Sequence, residues 1–348
     1  MSRFRVGISQ GIRRADGEMV IPEFDLSPLD DNPLIECVCL PDMANLDAQT
    51  AADLDAVILM LEAVTAKTFE PRGRLTLVAR FGVGYDRIDV EACTRNGVAL
   101  AITPDGVRRP VAVSVITLML ALTSRLMIKD SLARDGAAGW ARKSQYNGVG
   151  LVGRTLGSLG VGNIGAEVFK LAQPFDMRFI AHDPYASSKM AAALGVTLVS
   201  LEDLFRQSDV LSVSCPLSEN TRGIVDAPML ALMKTTAFLI NTARGPIVDQ
   251  AALTEALQAR RIAGAGLDVL EREPPDDNDP ILSLDNVILT PHALCWTDQC
   301  MAGNGGADIV AVRSTMRGRA PAHVVNQSVL ENAEFRRRLS EYATRFGC

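Results

Sequence analysis

The chain has 348 residues, of which 48% are hydrophobic and 22% are charged, so it is too apolar for a mainly disordered protein. Its length predicts two domains, each able to bury its own core. The formal net charge of −6 argues against a nucleic acid or an anionic membrane as the main partner. A small anionic substrate would need a local cationic pocket.

The cysteines and histidines exclude two further classes of protein. Seven cysteines are scattered and never spaced as CxxC, which predicts neither a disulfide framework nor a zinc site, and the three histidines are not paired at ligand spacing. We find no export signal at the start of the sequence. The longest uncharged apolar stretch, 111–124, is shorter than the roughly 20 residues that cross a bilayer. These features predict a cytoplasmic protein without a metal site.

The predicted elements fall into two groups along the chain. Apolar runs at 5–9, 56–61 and 77–80 predict a small α/β unit, although 10–50 shows no clear pattern. A helix without glycine or proline is predicted over 111–133, followed by a loop over 135–149. Six further runs alternate with helical segments such as 164–172 and 250–259, and this alternation predicts a doubly wound parallel sheet. These runs are 156–161, 178–181, 210–214, 237–241, 264–268 and 287–290.

A glycine-rich segment with the pattern GxGxxG joins the first of these runs to a helix. Its residues are Gly160, Val161, Gly162, Asn163, Ile164 and Gly165. Asp183 ends the next predicted strand, 18 residues after the last glycine. This arrangement is typical of dinucleotide sites, in which the glycines and the helix end receive a pyrophosphate and the carboxylate receives the adenosine ribose. Because Asp183 would repel a 2′-phosphate, the sequence favours NAD over NADP. An ordinary turn is the alternative.

Three polar side chains follow other predicted strands, where doubly wound sheets bind ligands. Arg244 follows 238–240 and could grip a carboxylate in bidentate geometry, or form an ordinary ion pair. His292 follows 287–289 and could donate a proton, or be a structural histidine. Glu273 follows 265–270 and could favour a protonated imidazole, or be a solvated loop residue.

A second glycine loop, 80–86, follows the run 77–80 of the first unit. Successive N–H groups at Val83 and Gly84 could form a nest for a substrate carboxylate. A simple turn at the end of a strand is the alternative.

Taken together, these motifs resemble those of the D-isomer specific 2-hydroxyacid dehydrogenases, the family of phosphoglycerate dehydrogenase and glyoxylate/hydroxypyruvate reductase. The resemblance covers about 77–326 and includes the segments Asn241-Thr242-Ala243-Arg244-Gly245 and Thr290-Pro291-His292. It implies two Rossmann-like doubly wound α/β domains, with the nucleotide-binding one inserted in a discontinuous substrate domain. The implied limits are 1–108 and 302–348 for the substrate domain and 109–301 for the NAD-binding domain.

The resemblance also implies roles for individual residues. The catalytic set would be Arg244, Glu273 and His292. The substrate would be held by Phe81, Val83, Gly84, Arg244 and Trp296. The cofactor would be held by Gly160, Gly162, Asn163, Ile164, Gly165, Asp183, Cys215, Pro216, Thr242, Ala243 and Asp268.

The function implied is NADH-dependent reduction of a small 2-oxo acid to the D-2-hydroxy acid, or the reverse oxidation. An NAD(H)-sensing, corepressor-like binding protein on the same fold is the alternative, and NADP-dependent chemistry is a further one. The family usually forms homodimers through the nucleotide-binding domain, which here suggests the segment 111–149. For the basic tail, 327–348, a solvated end is expected, with a helix docked on a partner subunit as the alternative.

Overall fold

The chain forms two compact units in the computed structural model, which describes residues 3–69 and 73–347. The first unit consists of Met1–Val107 and Trp296–Cys348, and the second of Arg108–Cys295. Cys348, the last residue of the predicted tail, lies outside the described residues. That 1–108 with 302–348 and 109–301 are separate domains stays a prediction.

The first unit is built on a parallel sheet. Its strands are β1 (Phe4–Ile8), β2 (Ile35–Cys39), β3 (Ala56–Leu59), β4 (Leu77–Arg80) and β5 (Ala99–Ile102). The helices between them are α1 (Ser27–Asp30), α2 (Ala48–Ala52) and α3 (Val90–Arg95). The order in the sheet is β2-β1-β3-β4-β5, and buried apolar residues cover both of its faces. Apart from the edge strand β2, which is only partly buried, the strands are almost wholly buried because a parallel sheet with helices on both faces is shielded from water.

Helix α4 (Pro104–Ser124) leads into the second unit, and the boundary between the units falls within it. It is the one helix of the described residues that is long and apolar enough to cross a membrane. Ala112, Val115 and Met119 are nevertheless fully buried in the core of the second unit, so α4 serves there as a core helix.

The helix predicted over 111–133 is interrupted in the structure. Arg125 has a left-handed backbone, with φ 54°, and it separates α4 from α5 (Leu126–Arg134). The loop predicted over 135–149 is also wrong in its first part, since α6 (Gly136–Ala141) lies there. A side chain at Gly139 would come within 1.9 Å of the Leu132 carbonyl oxygen, so glycine is required by the close packing of α6 on α5.

The second unit contains the larger parallel sheet. Its strands are β6 (Thr155–Leu159), β7 (Arg178–His182), β8 (Val196–Leu198), β9 (Val210–Val213), β10 (Phe238–Asn241), β11 (Gly264–Leu267) and β12 (Val287–Leu289). Its remaining helices are α7 (Asn163–Ala172), α8 (Ser188–Ala193), α9 (Leu201–Gln207), α10 (Ala227–Leu232) and α11 (Gln250–Gln258). The sheet order is β12-β11-β10-β9-β6-β7-β8. The predicted fold class, with two doubly wound α/β units, is confirmed, although the short β8 was not predicted.

The strand order places a topological switch point between β6 and β9. From β6 the chain continues outward through β7 and β8, and it then returns to β9 on the other side. Leu159 at the end of β6 is paired with Val213 at the end of β9. Their carboxyl ends therefore open onto the crevice in which such sheets bind ligands.

The last segment returns to the first unit as α12 (Asp298–Met316) and α13 (Ala333–Phe346). The prediction of a solvated tail is wrong, because Phe335, Tyr342 and Phe346 are buried in the core of the first unit. The Tyr342 hydroxyl also donates a hydrogen bond of 2.8 Å to the buried carboxylate of Asp55. Arg336 and Arg337 lie on the exposed face of this amphipathic helix, whereas Arg338 is mostly buried and donates to the Gly73 carbonyl oxygen at 3.0 Å.

Candidate active site

The predicted phosphate loop lies at the switch point, directly after β6. Gly160 has φ +99°, and a side chain there would lie 3.0 Å from the backbone nitrogen of Cys215. A side chain at Gly165 would lie 2.5 Å from the Gly160 carbonyl oxygen. Glycine is therefore required at both positions, at the first for its backbone angle and at the second for the close approach of α7 to the loop.

Gly162 stands at the N-cap of α7, and its role differs from that of the other two glycines. A side chain at Gly162 would meet no heavy atom within 4 Å, and no side chain caps the first turn of α7. The space in front of the helix is therefore open to a ligand, and the N–H groups and the helix dipole there favour an anion. Asn163 and Ile164, two further predicted cofactor residues, are the first two residues of α7. This cradle fits a dinucleotide pyrophosphate.

Asp183 follows β7 and is oriented by the glycine loop. One carboxylate oxygen accepts a hydrogen bond of 2.8 Å from the Val161 N–H, and the other accepts one of 2.9 Å from the Tyr185 N–H. None of residues 184–188 is charged. A fixed carboxylate followed by five uncharged residues suits the ribose hydroxyls of NAD and disfavours the 2′-phosphate of NADP.

Cys215 and Pro216 follow β9 on the other side of the switch point. Burial raises the pKa of Cys215 to about 11, and the charge of Asp183 acts in the same direction. The thiol therefore stays protonated at neutral pH, which does not suit a nucleophile, and a contact of Cys215 and Pro216 with the cofactor stays a prediction.

The three predicted catalytic residues follow three adjacent strands, β10, β11 and β12. Asn241, Leu267 and Leu289 are in register at the ends of these strands. His292 Nδ1 lies 2.8 Å from Glu273 Oε2, and the other carboxylate oxygen of Glu273 accepts a hydrogen bond from the Leu270 N–H. Because Glu273 engages Nδ1, Nε2 is the ring nitrogen available to a substrate.

The electrostatics of Glu273 connect it to both of the other residues. Partial burial alone would raise the pKa of Glu273, but the hydrogen bond and charge of His292, the Leu270 N–H and the charge of Arg244 outweigh burial and lower it. The structure thus brings Arg244, Glu273 and His292 together within the second unit. A carboxylate that stays ionised beside an imidazole stabilises the imidazolium form.

The loop of Arg244 is shaped by a buried asparagine to which the sequence analysis gave no role. The Asn241 side chain donates to the Arg244 carbonyl oxygen at 2.9 Å and accepts from the Ala243 N–H at 3.0 Å. A side chain at Gly245 would come within 1.8 Å of the Leu270 carbonyl oxygen. Asn241 and Gly245 therefore set the Arg244 loop against the segment that carries Glu273. Both residues belong to the motif Asn241-Thr242-Ala243-Arg244-Gly245, so the motif was the sequence signal that could have identified them. Thr242, a predicted cofactor residue, lies in the same loop.

Asp268 holds the loop that carries His292. Its Oδ1 atom accepts hydrogen bonds from the Thr290 hydroxyl at 2.6 Å and from the Ala293 and Leu294 N–H groups, both at 3.1 Å. His292 itself has φ +53°, in the left-handed region. Three bonds to one buried carboxylate therefore fix an unfavourable backbone at the imidazole. That Asp268 also binds the cofactor stays a prediction.

Apart from Arg244, the predicted substrate residues belong to the first unit. The Phe81 side chain is buried and stacks on Phe24 with ring centroids 5.6 Å apart, so it is a core residue and not an exposed contact. The N–H groups of Val83 and Gly84 donate no hydrogen bond to any described residue, which suits a backbone anion site. Trp296 is half exposed.

Comparison with known proteins agrees with this geometry. The family model described as D-isomer specific 2-hydroxyacid dehydrogenase, NAD binding domain, matches residues 116–293. The glyoxylate reductase of Korarchaeum cryptofilum is 38% identical over 285 residues, which cover 80% of this chain and 85% of that protein. The D-3-phosphoglycerate dehydrogenase of Methanocaldococcus jannaschii is 38% identical over 276 residues, 78% of this chain but only 52% of that longer protein.

A solved structure extends the similarity to both units. The crystal structure of a glyoxylate reductase from Paecilomyes thermophila matches with a TM-score of 0.80 at 26% identity, and the match covers 94% of this chain and 99% of that one. The match to the NAD-binding model agrees with the open glycine cradle and with the carboxylate at Asp183. The chain therefore belongs to the D-isomer specific 2-hydroxyacid dehydrogenase family and is an NAD(H)-dependent oxidoreductase.

Proposed function

We propose that the chain reduces a small 2-oxo acid to the D-2-hydroxy acid with NADH, and that Arg244, Glu273 and His292 catalyse the reaction. The observation that carries this proposal is the 2.8 Å contact between His292 Nδ1 and a Glu273 carboxylate whose pKa is lowered in part by Arg244. An acid, its orienting carboxylate and a guanidinium within one site suit a reaction in which a carbonyl oxygen gains charge and a proton.

Each side chain has a distinct part in the proposed mechanism. When bound, NADH supplies the hydride that the substrate carbon gains. His292 Nε2 donates a proton to the carbonyl oxygen, while Glu273 holds Nδ1–H and stabilises the imidazolium. Arg244 pairs with the substrate carboxylate and stabilises the charge that develops on the carbonyl oxygen. In the oxidation direction, neutral His292 accepts the proton instead.

The test of this function is an assay of NADH oxidation against a panel of 2-oxo acids, with NADPH in parallel. The panel should include glyoxylate, hydroxypyruvate, phenylpyruvate and a sugar-derived 2-oxo acid. We expect at least one of them to support turnover, with a higher kcat/KM for NADH than for NADPH because of Asp183. NADH binding without oxidation by any member of the panel would contradict the proposal and favour an NAD(H)-sensing protein.

The pH dependence of reduction should change when Glu273 is replaced with glutamine. The amide can still accept a hydrogen bond from Nδ1–H but carries no charge, so the imidazolium loses its proton at lower pH. We expect the alkaline limb of the kcat/KM profile for reduction to move down by about one pH unit. Glu271→Gln, in the same exposed loop, is the control and should leave the profile unchanged. An unmoved limb in Glu273→Gln would show that the carboxylate does not tune the imidazole.

The linkage between Glu273 and stability has a definite sign. Because the folded-state pKa of Glu273 is lowered, its contribution to stability is present above the ordinary glutamate pKa of about 4.3. This stabilising contribution of Glu273 is lost as the pH falls through its lowered folded-state pKa. The His292–Glu273 pair is therefore expected to persist throughout the neutral range.

We propose that the substrate carboxylate also binds the N–H groups of Val83 and Gly84, and that half-exposed Trp296 shapes the space for the substrate side chain. Two observations support the first part. Both N–H groups are without an acceptor among the described residues, and the neighbouring carbonyl groups are held by other donors. Available N–H groups beside engaged carbonyl groups suit an anion.

We further propose that the protein is a cytoplasmic homodimer formed through the second unit. Large apolar side chains are exposed along α5 and α6, among them Leu126, Met127 and Trp140 at 55%, 58% and 61%. Contiguous exposed apolar groups of this kind favour a protein interface. The free cysteines of the described residues agree with a reducing compartment.

The double variant Leu126→Asp/Trp140→Asp should dissociate this dimer. Each new carboxylate would lose hydration in an apolar interface without gaining a partner, which is unfavourable. Sedimentation equilibrium should then give the chain mass of 37.4 kDa, whereas the unaltered protein should give twice that value. An unaltered protein that sediments as a single chain would refute the dimer. The control is Tyr185→Asp, which changes an exposed aromatic side chain outside α5 and α6.

A further inference from the structure

The loop 81–84 is held from one side by the guanidinium of Arg80. Arg80 Nε donates to the Gly84 carbonyl oxygen at 2.8 Å, and Arg80 Nη1 donates to that of Phe81. These two carbonyl groups are thus turned toward Arg80. The bonds fix both ends of the short segment that contains the N–H groups of Val83 and Gly84.

The middle of the loop is held by Thr103, which directly follows β5. The Gly82 N–H donates to the Thr103 hydroxyl oxygen at 2.8 Å, and the Thr103 N–H donates to the Gly82 carbonyl oxygen at 3.0 Å. Gly82 has φ +116°, an angle that side chains rarely allow. Thr103 is buried, so the two bonds are shielded from water.

The direction of the Thr103 hydroxyl is set by Asn304 of α12. The hydroxyl has one proton, which it donates to Asn304 Oδ1 at 2.8 Å. It can therefore only accept from Gly82, which matches the observed bond. Asn304 is buried as well, and its amide nitrogen lies 3.6 Å from Cys300 Sγ. Two hydrogen bonds in the same donor-to-acceptor direction thus connect Gly82 to Asn304 through the Thr103 hydroxyl.

Close packing fixes the amide of Asn304. A side chain at Gly106 would lie 2.2 Å from Asn304 Oδ1 and 2.6 Å from the Asn304 backbone nitrogen. The missing side chain at Gly106 is therefore what leaves room for the amide. A buried amide with both ends engaged and no space to rotate can orient a neighbouring hydroxyl.

The same face of α12 carries a second buried polar side chain, Asp308, one turn beyond Asn304. Its two oxygens have no hydrogen-bond partner among the described residues, and burial raises the pKa of Asp308 well above its ordinary value although the charge of Arg80 acts in the opposite direction. Asn304 and Asp308 therefore interact with the two residues, Thr103 and Arg80, that bind the backbone of the loop. A helix face that served only for packing would not need buried polar groups at these positions.

We propose that Asn304, acting through Thr103, is a positioning residue that holds the 81–84 loop so that the Val83 and Gly84 N–H groups meet the substrate carboxylate. The inference rests on the proposed function, because it assumes that this loop binds a 2-oxo acid. A loop released from Thr103 should reach the binding geometry only part of the time, which weakens substrate binding without altering the catalytic side chains.

Thr103→Val tests the proposal, since valine keeps the shape of the side chain and removes the hydroxyl. We expect the KM for the preferred 2-oxo acid to rise about tenfold, in line with the loss of one buried hydrogen bond. The kcat and the Kd for NADH should stay within about twofold of the unaltered values. Thr103→Ser keeps the hydroxyl and should restore the KM.

Two further variants separate positioning from general destabilisation. Thr315→Val is the matched control, because Thr315 is buried on the same helix and its hydroxyl donates to the Ala311 carbonyl oxygen within that helix, its sole partner in the described part of the chain. It should leave the KM unchanged. Asn304→Ala should raise the KM several-fold, and the double variant Thr103→Val/Asn304→Ala should be no worse than Thr103→Val alone, because the two residues act in series. These single and double variants also provide a test if one of them folds poorly.

Hydrogen exchange at 81–84 makes the proposal testable apart from activity. Exchange in this segment should be faster in Thr103→Val than in Thr103→Ser or Thr315→Val. Unchanged exchange and unchanged KM in Thr103→Val would overturn the positioning role, and so would additive effects in the double variant. The two proposals can fail separately. If no 2-oxo acid supports NADH oxidation by the unaltered protein, but exchange at 81–84 is faster in Thr103→Val, the proposed function fails and the role of Asn304 in holding the loop stands.

Discussion

Replacing His292 with alanine should lower the kcat for 2-oxo acid reduction by about 10² or more, while the Kd for NADH stays nearly unchanged. The variant loses the only ring nitrogen that the site offers to a carbonyl oxygen, so proton transfer must rely on water. The glycine cradle and Asp183, which are expected to bind the nucleotide, do not involve this side chain. Steady-state kinetics at saturating substrate and fluorescence titration with NADH measure the two quantities.

His323→Ala is a suitable control for this experiment. Like His292, His323 has a left-handed backbone and a half-exposed side chain near a carboxylate, here Asp105 with the nearest atoms 3.7 Å apart. It lies outside the proposed catalytic set and should tolerate the change. Turnover that is unchanged in His292→Ala would remove the role of proton donor.

Replacing Arg244 with alanine should lower kcat/KM by about 10³, through both a lower kcat and a higher KM. The guanidinium is proposed to pair with the substrate carboxylate, which affects binding, and to stabilise charge on the carbonyl oxygen, which affects the chemical step. Arg244→Lys keeps the charge but not the planar pair of donors. We therefore expect its kcat/KM to be only about tenfold higher than that of Arg244→Ala. Initial rates over a range of substrate concentrations give both constants.

The control for Arg244 is an arginine with an ordinary surface ion pair. Arg261 lies 2.6 Å from Glu255 on the surface of the same unit, and exposed pairs of this kind contribute little. Arg261→Ala should therefore leave kcat/KM within about twofold. A loss of less than about fivefold in Arg244→Ala would be too small for a group that binds the substrate directly.

The architecture of the second unit could be predicted because its signals are local. β10 begins as a short apolar run, and Asp249 caps α11 by accepting from the Ala252 N–H, as aspartate commonly does at a helix start. The carboxyl ends of such strands share one edge, so residues that follow them could be grouped before any coordinates were known. The grouping of Arg244, Glu273 and His292 is an example.

Other elements depend on packing between distant segments and were missed. Gly139 indicated a loop, but its missing side chain allows α6 to pack closely on α5. The left-handed angle at Arg125 carries no residue signature. In α13, by contrast, Phe335, Tyr342 and Phe346 recur at helical spacing between charged residues, so that helix could have been predicted from periodicity.

The site shows the same division between local and distant signals. The strand-end residues could be found from their position, whereas the links that orient them join residues far apart in sequence. Asn304 bonds to Thr103 across 201 positions, and Asp268 holds the His292 loop from more than 20 positions away. No periodicity or spacing rule predicts contacts of this kind.

The three proposed catalytic side chains all come from the second unit, whereas the groups proposed to bind the substrate in addition to Arg244, namely the Val83 and Gly84 N–H groups and the Trp296 side chain, come from the first. Selectivity and chemistry are thus encoded in different stretches of the gene. Exchanging the first-unit segments between relatives should alter which acid is accepted, while the reaction itself remains the same.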